Sequence, residues 1–262
     1  MSPRRPAATA RFHVGTAGWT LPGEHQPAFP AEGTHLQRYG GRLPAVEINS
    51  SFYRPHRPAT YERWAASVPA AFRFAVKVPR AITHERRLVD AGASLDAFLA
   101  QAGALGPRLG CLLVQLPPSL RFDEPVATTF FEALRQRHEG PVALEPRHAS
   151  WFEEPVGALL VAHRIARVGA DPARVPEAAD TDGWPDLAYV RLHGSPRIYY
   201  SEYDAARLDA LTVRLLGLAR SAHDVWCIFD NTASGAALGN ALGLLERLEK
   251  APGGKAAPHR SR

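Results

Sequence analysis

The stretch GCLLVQLPPSLRFDEPVATTFFEALRQRHEGPVALEP (Gly110–Pro146) contains the unit from which the rest of the chain is built. It opens on an apolar run, Gly110–Leu116, short and rich in Leu and Val, as suits a strand covered on its outer face. A proline-bearing turn follows. Pro125 then stands where the first turn of a helix tolerates proline, at the head of an amphipathic segment, Pro125–Arg137. The stretch closes on a second apolar run, Pro141–Pro146. Strand, helix and strand at this spacing form the βαβ unit of a parallel sheet.

The same alternation recurs in both directions. Further apolar runs lie at Phe12–Gly18, Ala45–Ser50, Phe72–Pro79, His163–Gly169, Leu187–His193 and Val225–Asn231. Between them fall helical candidates at Pro58–Val68, Ser94–Leu105, Pro155–Ala162, Asp204–Ala222 and Ala236–Lys250. The connection 170–186 is acidic and proline-bearing and reads as a loop or a broken helix. Eight strands interleaved with helices predict an α/β fold, a single (β/α)8 TIM barrel of eight parallel strands, and 262 residues is a fitting length. A doubly wound open sheet is the alternative, but neither a G-x-G-x-x-G nor a Walker motif supports it. The barrel domain is expected over 12–250, flanked by disordered basic tails at 1–11 and 251–262.

Those tails explain the charge. The chain carries a formal net charge of +5, which invites a nucleic-acid reading. Six of its 31 Lys and Arg residues are Arg4, Arg5, Arg11, Lys255, Arg260 and Arg262, and the tails contain no acid. The body is left with 25 basic against 26 acidic residues. No run approaches the roughly 20 apolar residues of a membrane span, and no apolar segment follows the basic amino terminus. Cys111 and Cys227 sit inside apolar runs as small buried hydrophobes. A cytoplasmic protein with no membrane partner is expected, its oligomeric state left open.

Barrels place their chemistry where strands end. Those positions hold Trp19 after the first strand, Glu47 and Asn49 on the second, Lys77 on the third and Gln115 on the fourth. Glu145, Arg147 and His148 end the fifth strand, Arg191 and His193 the seventh, and Asp230 and Asn231 the eighth. Side chains two apart share a face of a strand, which pairs Glu47 with Asn49, Glu145 with Arg147, and Arg191 with His193. Tyr53 and other aromatics share the upper loops with arginines, the combination that grips oxyanions and stacks on rings. Two readings stand side by side: a functional pocket, or a polar plug in which these charges neutralise one another.

Lys77 is the most informative position. The chain uses 28 arginines and only three lysines, the other two being Lys250 and Lys255. An amine desolvated in a strand can lose its proton and act as a nucleophile or a compact anion clamp, which a guanidinium cannot do. The alternative is steric, since lysine fits a narrow interior where arginine does not. No H-x-H or H-E-x-x-H spacing marks a metal site, and Arg147 and Arg191 would repel a cation. A divalent metal held by His148, His193, Glu47, Glu145 and Asp230 stays open only as a second reading. No cofactor motif is present.

Several segments, taken in order, resemble the YecE-like family, domain of unknown function 72. They are GTAGW (Gly15–Trp19), EINSSFY (Glu47–Tyr53), FAVKVPRAITH (Phe74–His84), LGCLLVQLPPSLRFD (Leu109–Asp123), EPRHASW (Glu145–Trp151), YVRLHG (Tyr189–Gly194) and FDNTASGAALGNA (Phe229–Ala241). The resemblance implies a TIM barrel and no established activity. It carries over Glu47, Asn49, Lys77, Gln115, Glu145, Arg147, His148, Arg191, His193 and Asn231 as motif residues. Asp230 departs from the Asn found in some members.

The expected function is acid/base catalysis, of hydrolase or lyase type, on an anionic and phosphate-bearing substrate. Glu47 or Glu145 would be the general acid or base, Lys77 and Arg191 would stabilise negative charge, and His193 would move a proton. Asn49, Gln115 and Asn231 would fix polar edges of the ligand, with Trp19, Tyr53, Arg147, His148 and Asp230 completing the binding set. The rivals are a metal-dependent nuclease or phosphodiesterase, and a non-enzymatic protein that binds nucleic acid or a metabolite.

Overall fold

The structure is a computed structural model, and residues 10–252 of it are described. Of the two tails, residues 1–9 and 253–262 lie outside the described residues, and Arg11 opens the first strand and binds Asp224 at 2.7 Å. The strands are β1 (Arg11–Thr16), β2 (Ala45–Ile48), β3 (Arg73–Lys77), β4 (Leu109–Gln115), β5 (Val142–Glu145), β6 (Ile165–Arg167), β7 (Gly169–Asp171), β8 (Asp182–Gly183), β9 (Leu187–Leu192) and β10 (Asp224–Phe229). The helices are α1 (His35–Gly40), α2 (Pro58–Ala66), α3 (Gly92–Ala102), α4 (Glu124–Arg135), α5 (Glu154–Ala162), α6 (Ala205–Leu218) and α7 (Ala236–Lys250). Asp123 and Asp204 cap α4 and α6 by accepting from backbone N–H groups three residues on, and prolines stand in the first turns of α2, α4 and α5.

In place of the expected single eight-stranded sheet, the strands form two sheets, ordered β1-β10-β9-β7 and β2-β3-β4-β5-β6-β8. All pairings are parallel except the short β6–β8 pair. Each break has a local cause. Between β1 and β2, the Tyr39 hydroxyl is inserted into the ladder, accepting from the Thr16 N–H at 2.9 Å and donating to the Ala45 carbonyl at 3.0 Å. The strands nearly touch there, because a Cβ on Gly15 would lie 2.0 Å from the Ala45 oxygen. Beyond the tyrosine a single parallel bridge, Ala17–Glu47, joins them.

At the other break, β6 and β7 are one run interrupted at Val168. β6 pairs with β5 on one side, and on the other β8 takes its free edge. Gly183 permits this at a φ of +78°, where a side chain would strike the Ile165 carbonyl at 2.5 Å. Only after β8 has ended its contact does the run, now β7, meet β9. The segment read as a loop or broken helix is therefore β7, a short 3-10 turn at Pro176–Ala179, and β8.

The strands bury both faces. One face packs on the helices through Val46, Ile48, Phe74, Val76, Leu112, Val114, Leu144, Val190 and Phe229. The residues between them, Ala45, Ala75, Cys111, Leu113, Ala143, Ala166, Tyr189, Trp226 and Ile228, form a second cluster of mostly small side chains. This period of two carries Glu47, Lys77, Gln115, Glu145 and Arg191 onto the inner face beside that cluster. Both cysteines are buried and free. No helix among the described residues is long and apolar enough to cross a membrane.

Candidate functional site

At the carboxyl ends of the strands the inner face turns from apolar to charged. Arg191, fully buried on β9, is its centre. Its Nη2 and Nε donate to Glu47 Oε1 at 2.7 Å and Oε2 at 3.0 Å, and its Nη1 donates to Glu145 Oε2 at 3.1 Å. Nη2 also lies 3.0 Å from Asp230 Oδ2. One guanidinium thus meets three buried carboxylates from three different strands. Such charges are costly to bury, and only this dense pairing makes them tolerable.

The carboxylates are otherwise occupied as well. Glu47 Oε2 accepts from the Tyr189 hydroxyl at 3.0 Å, and Glu145 Oε2 from Gln115 at 3.0 Å. Glu145 Oε1 accepts from Arg147 Nε at 3.1 Å and Nη2 at 3.0 Å, and lies 3.2 Å from His193 Nε2. His193 Nδ1 lies 3.0 Å from Asp230 Oδ2. Burial alone would push the Glu145 carboxyl up, but Arg191, His193 and Arg147 together hold it well below the usual carboxylate range. Burial likewise pulls His193 down, yet Glu145 and Asp230 outweigh it and hold the imidazole above its ordinary value. Each ring nitrogen of His193 thus faces a carboxylate, an arrangement that favours the imidazolium. Glu145 is not a proton carrier in this state.

Lys77 is the exception. The residue is 5% exposed, and its Nζ has no hydrogen-bond or ion-pair partner among the described residues. The ammonium sits instead over the Phe52 ring, 4.1 Å from its centroid, a cation–π contact. Burial lowers its pKa to about 8, with Arg191 adding to the effect and Glu47, Glu145 and Asp230 opposing it. The next turn back holds the strand end in place, with the Ser51 hydroxyl donating to the Lys77 carbonyl at 2.7 Å. Two amide oxygens close in sequence to the strand ends, Asn49 Oδ1 and Asn231 Oδ1, are buried without a partner among the described residues.

Of the residues singled out in the sequence, Glu47, Gln115, Glu145, Arg147, Arg191, His193 and Asp230 are joined in one network, with Lys77 unbonded beside it. The others stand apart from these bonds. His148 caps the turn Ala149–Phe152, its Nδ1 accepting from the Ser150 N–H at 3.2 Å. Asn231 donates to the Ser201 carbonyl and to Asn240 Oδ1, both at 2.9 Å, and so ties down the loop after β9. Trp19 packs edge-on against Trp64 and lines a shallow cleft of about 240 Å³ with Asn49. Tyr53 is 68% exposed and lines a second cleft, of about 430 Å³, with Phe52, Arg54, Arg80 and Phe98. Phe52 and Ser51, which also line that cleft, touch Lys77. Tyr189 and Phe52 are the contributors that the reading of roles overlooked. Tyr189 lies two residues before Arg191, and the period-two rule that pairs Arg191 with His193 also puts it on the inner face.

As for a metal, no group of three or more His, Cys, Asp or Glu among the described residues is arranged to hold one. Glu47, Glu145 and Asp230, the acids that would have to supply ligands, already share a guanidinium, and a cation among them would be repelled by it.

The family model described as "Protein of unknown function DUF72" matches residues 13–262. The chain is 26% identical to the UPF0759 protein YunF of Bacillus subtilis (strain 168), over 91% of this chain and 95% of that protein. It is 30% identical to the UPF0759 protein YecE of Escherichia coli (strain K12), over 45% of this chain and 43% of that one. A solved DUF72 family protein from Thermotoga maritima MSB8 superposes with a TM-score of 0.75 at 26% identity, covering 92% of this chain and all of that one. Another, from Enterococcus faecalis V583, reaches 0.75 at 20% identity, covering 92% of this chain and 96% of that one. With a family model matching nearly its whole length, the chain belongs to the DUF72 family.

Proposed function

We propose that the chain is a cytoplasmic enzyme that works by acid/base chemistry on a small anionic substrate, and that Lys77 is the group that meets it. The observation that carries this reading is the unequal treatment of the charges. Every acid in the cluster is bonded to Arg191, and Lys77, 5% exposed as a residue, is left with no acceptor among the described residues. In a polar plug the lysine would have taken one of three nearby carboxylates. A buried cation without a counter-ion is costly, and an incoming carboxylate or phosphate would remove that cost. Arg147, 16% exposed at its side chain, would provide a second, bidentate grip at the edge of the same site.

The roles differ from those expected of the residue types. Glu47 and Glu145 hold Arg191, Arg147 and His193 in position. Lys77, with a pKa of about 8, is matched to giving or taking a proton near neutrality. Lyase or hydrolase chemistry fits this better than a metal-dependent nuclease, whose cation would have to sit against Arg191. The two sheets are read as the halves of one barrel. The Ala17–Glu47 bridge joins them at one seam and the continuous run through Val168 at the other, giving eight staves when β6 and β7 count as one and the antiparallel two-residue β8 is set aside.

The test is a thermal-shift comparison of the wild type and Lys77→Ala against sugar phosphates, nucleotides, short carboxylic acids, oligonucleotides and neutral sugars. A ligand at 100 times its Kd adds about 2.7 kcal/mol. A shift with a small anion that the variant loses is the expected result. Shifts only with neutral sugars, or equal shifts in both proteins, overturn the reading, and a response to oligonucleotides alone favours the binding-protein rival.

A further inference from the structure

We infer that Lys77 forms a covalent imine with an anionic carbonyl compound, a 2-oxo acid or a keto or aldehyde phosphate. This rests on the reading of the site given above and names its substrate class. Four placements support it.

The amine is free. Imine formation needs the nitrogen lone pair, and Nζ shares its proton with no acceptor among the described residues; its one close contact is the Phe52 ring. The surroundings favour the neutral form, since Arg191 takes up the three carboxylates that would otherwise stabilise the ammonium. Burial, with Arg191 adding to it, lowers the amine's pKa to about 8 against the opposing pull of those acids. A proton donor belongs to the same cluster: His193, held as an imidazolium between Asp230 and Glu145. Finally, Arg147 gives the substrate's anionic group a bidentate partner, and two of its own bonds already run to the carboxylate that holds His193.

The chemistry balances without a further reagent. The Nζ lone pair forms the C–N bond as the carbonyl π bond opens, giving a carbinolamine. The oxygen then leaves as water, carrying one proton from the amine and one from the His193 imidazolium, and a protonated imine remains on Lys77. No oxidant or reductant takes part. The iminium occupies the place of the ammonium over the Phe52 ring, so the cation–π contact is kept through the step.

Trapping is unusually clean here because the chain has only three lysines, Lys77, Lys250 and Lys255. The full-length protein would be incubated with glyoxylate, pyruvate or dihydroxyacetone phosphate, with acetone as the neutral control. Sodium cyanoborohydride would reduce any imine, and peptide mass mapping would locate the adduct. The expected result is an adduct confined to Lys77, at least tenfold faster than at the other two lysines, and weak with acetone. Lys77→Arg keeps the cation but cannot form an imine, and should lose the adduct while still showing a thermal shift with the same anions. An adduct spread evenly over the three lysines, or none with any anionic carbonyl, overturns the inference. If the anion-dependent shift survives that outcome, the lysine is an electrostatic clamp and only the imine fails. If the shift is absent too, the reading of the site fails with it.

Discussion

Removing Arg191 is the sharpest perturbation of this molecule. In Arg191→Met, a side chain of similar length and no charge, Glu47, Glu145 and Asp230 keep their buried positions and lose their shared counter-ion. Breaking a buried pair costs about 3–5 kcal/mol, because the orphaned charge stays desolvated. The three losses are not additive, since the same site relaxes for all of them. With roughly 2–4 °C of Tm per kcal/mol for a chain approaching this size, a fall of about 6–20 °C at pH 7.5 is expected. The pH dependence discriminates further. In the wild type the Glu145 carboxyl is held below its ordinary value, so its contribution is present above the unfolded pKa, about 4.3, and is lost as pH falls through the lower folded value. In the variant, burial acts unopposed by Arg191 and the carboxyls are pushed up, so its stability falls as pH rises through the unfolded pKa. The gap between the two proteins should therefore widen from pH 4.5 to pH 7.5. Urea titrations at four pH values in that interval measure it. A difference below about 1 kcal/mol at pH 7.5, or one independent of pH, would refute the claim that Arg191 holds these acids together.

Four smaller perturbations probe other links. Tyr39→Phe leaves the Thr16 N–H and the Ala45 carbonyl unpaired between β1 and β2, and should cost about 1–3 kcal/mol in urea unfolding. Gly15→Ala drives a Cβ into the Ala45 oxygen and should abolish soluble folded protein, read by expression and circular dichroism. His148→Ala removes only a turn cap and should cost about 0.5–2 kcal/mol while leaving every ligand shift of the wild type intact. Acylation of Lys77 by a small activated ester, followed by peptide mapping over pH 6–10, should show a midpoint near 8.

The register of the strands was legible because each apolar run is short, bounded and alternates inner with outer residues. Lys77 and Gln115 end their strands, and Glu145 ends its own, where the runs Phe72–Pro79, Gly110–Leu116 and Pro141–Pro146 point. The split into two sheets was not legible, because it depends on one hydroxyl, Tyr39, reaching across from α1 and on a two-residue strand at Asp182–Gly183. Helix α1 itself was overlooked, although Thr34 and Gln37 form a capping box that a local reading can find. The site divides in the same way. Which residues gather follows from the period of two, but what each does depends on bonds between residues 144 and 46 positions apart, Arg191 to Glu47 and to Glu145. No local pattern records that Arg191 takes all three acids, Glu145 among them. His148 caps its own turn through the Ser150 N–H, and Asn231 donates across the fold to the Ser201 carbonyl and the Asn240 side chain, bonds that position in the sequence does not record.

The charges of the cluster explain why Lys77 is left out of it. Glu47, Glu145 and Asp230 carry three negative charges, and Arg191, Arg147 and the His193 imidazolium carry three positive ones. The network is thus neutral without Lys77. A neutral amine leaves the site balanced, whereas an ammonium adds a charge that no protein group answers, and burial, the larger cause, lowers its pKa in the same direction. A bound monoanion answers it. So does an iminium whose own substrate carries a carboxylate or phosphate, since the new positive charge and the ligand's negative one arrive together. Anion recognition and imine formation therefore make the same electrostatic demand, and that demand is met by assigning every acid to Arg191 rather than to the lysine.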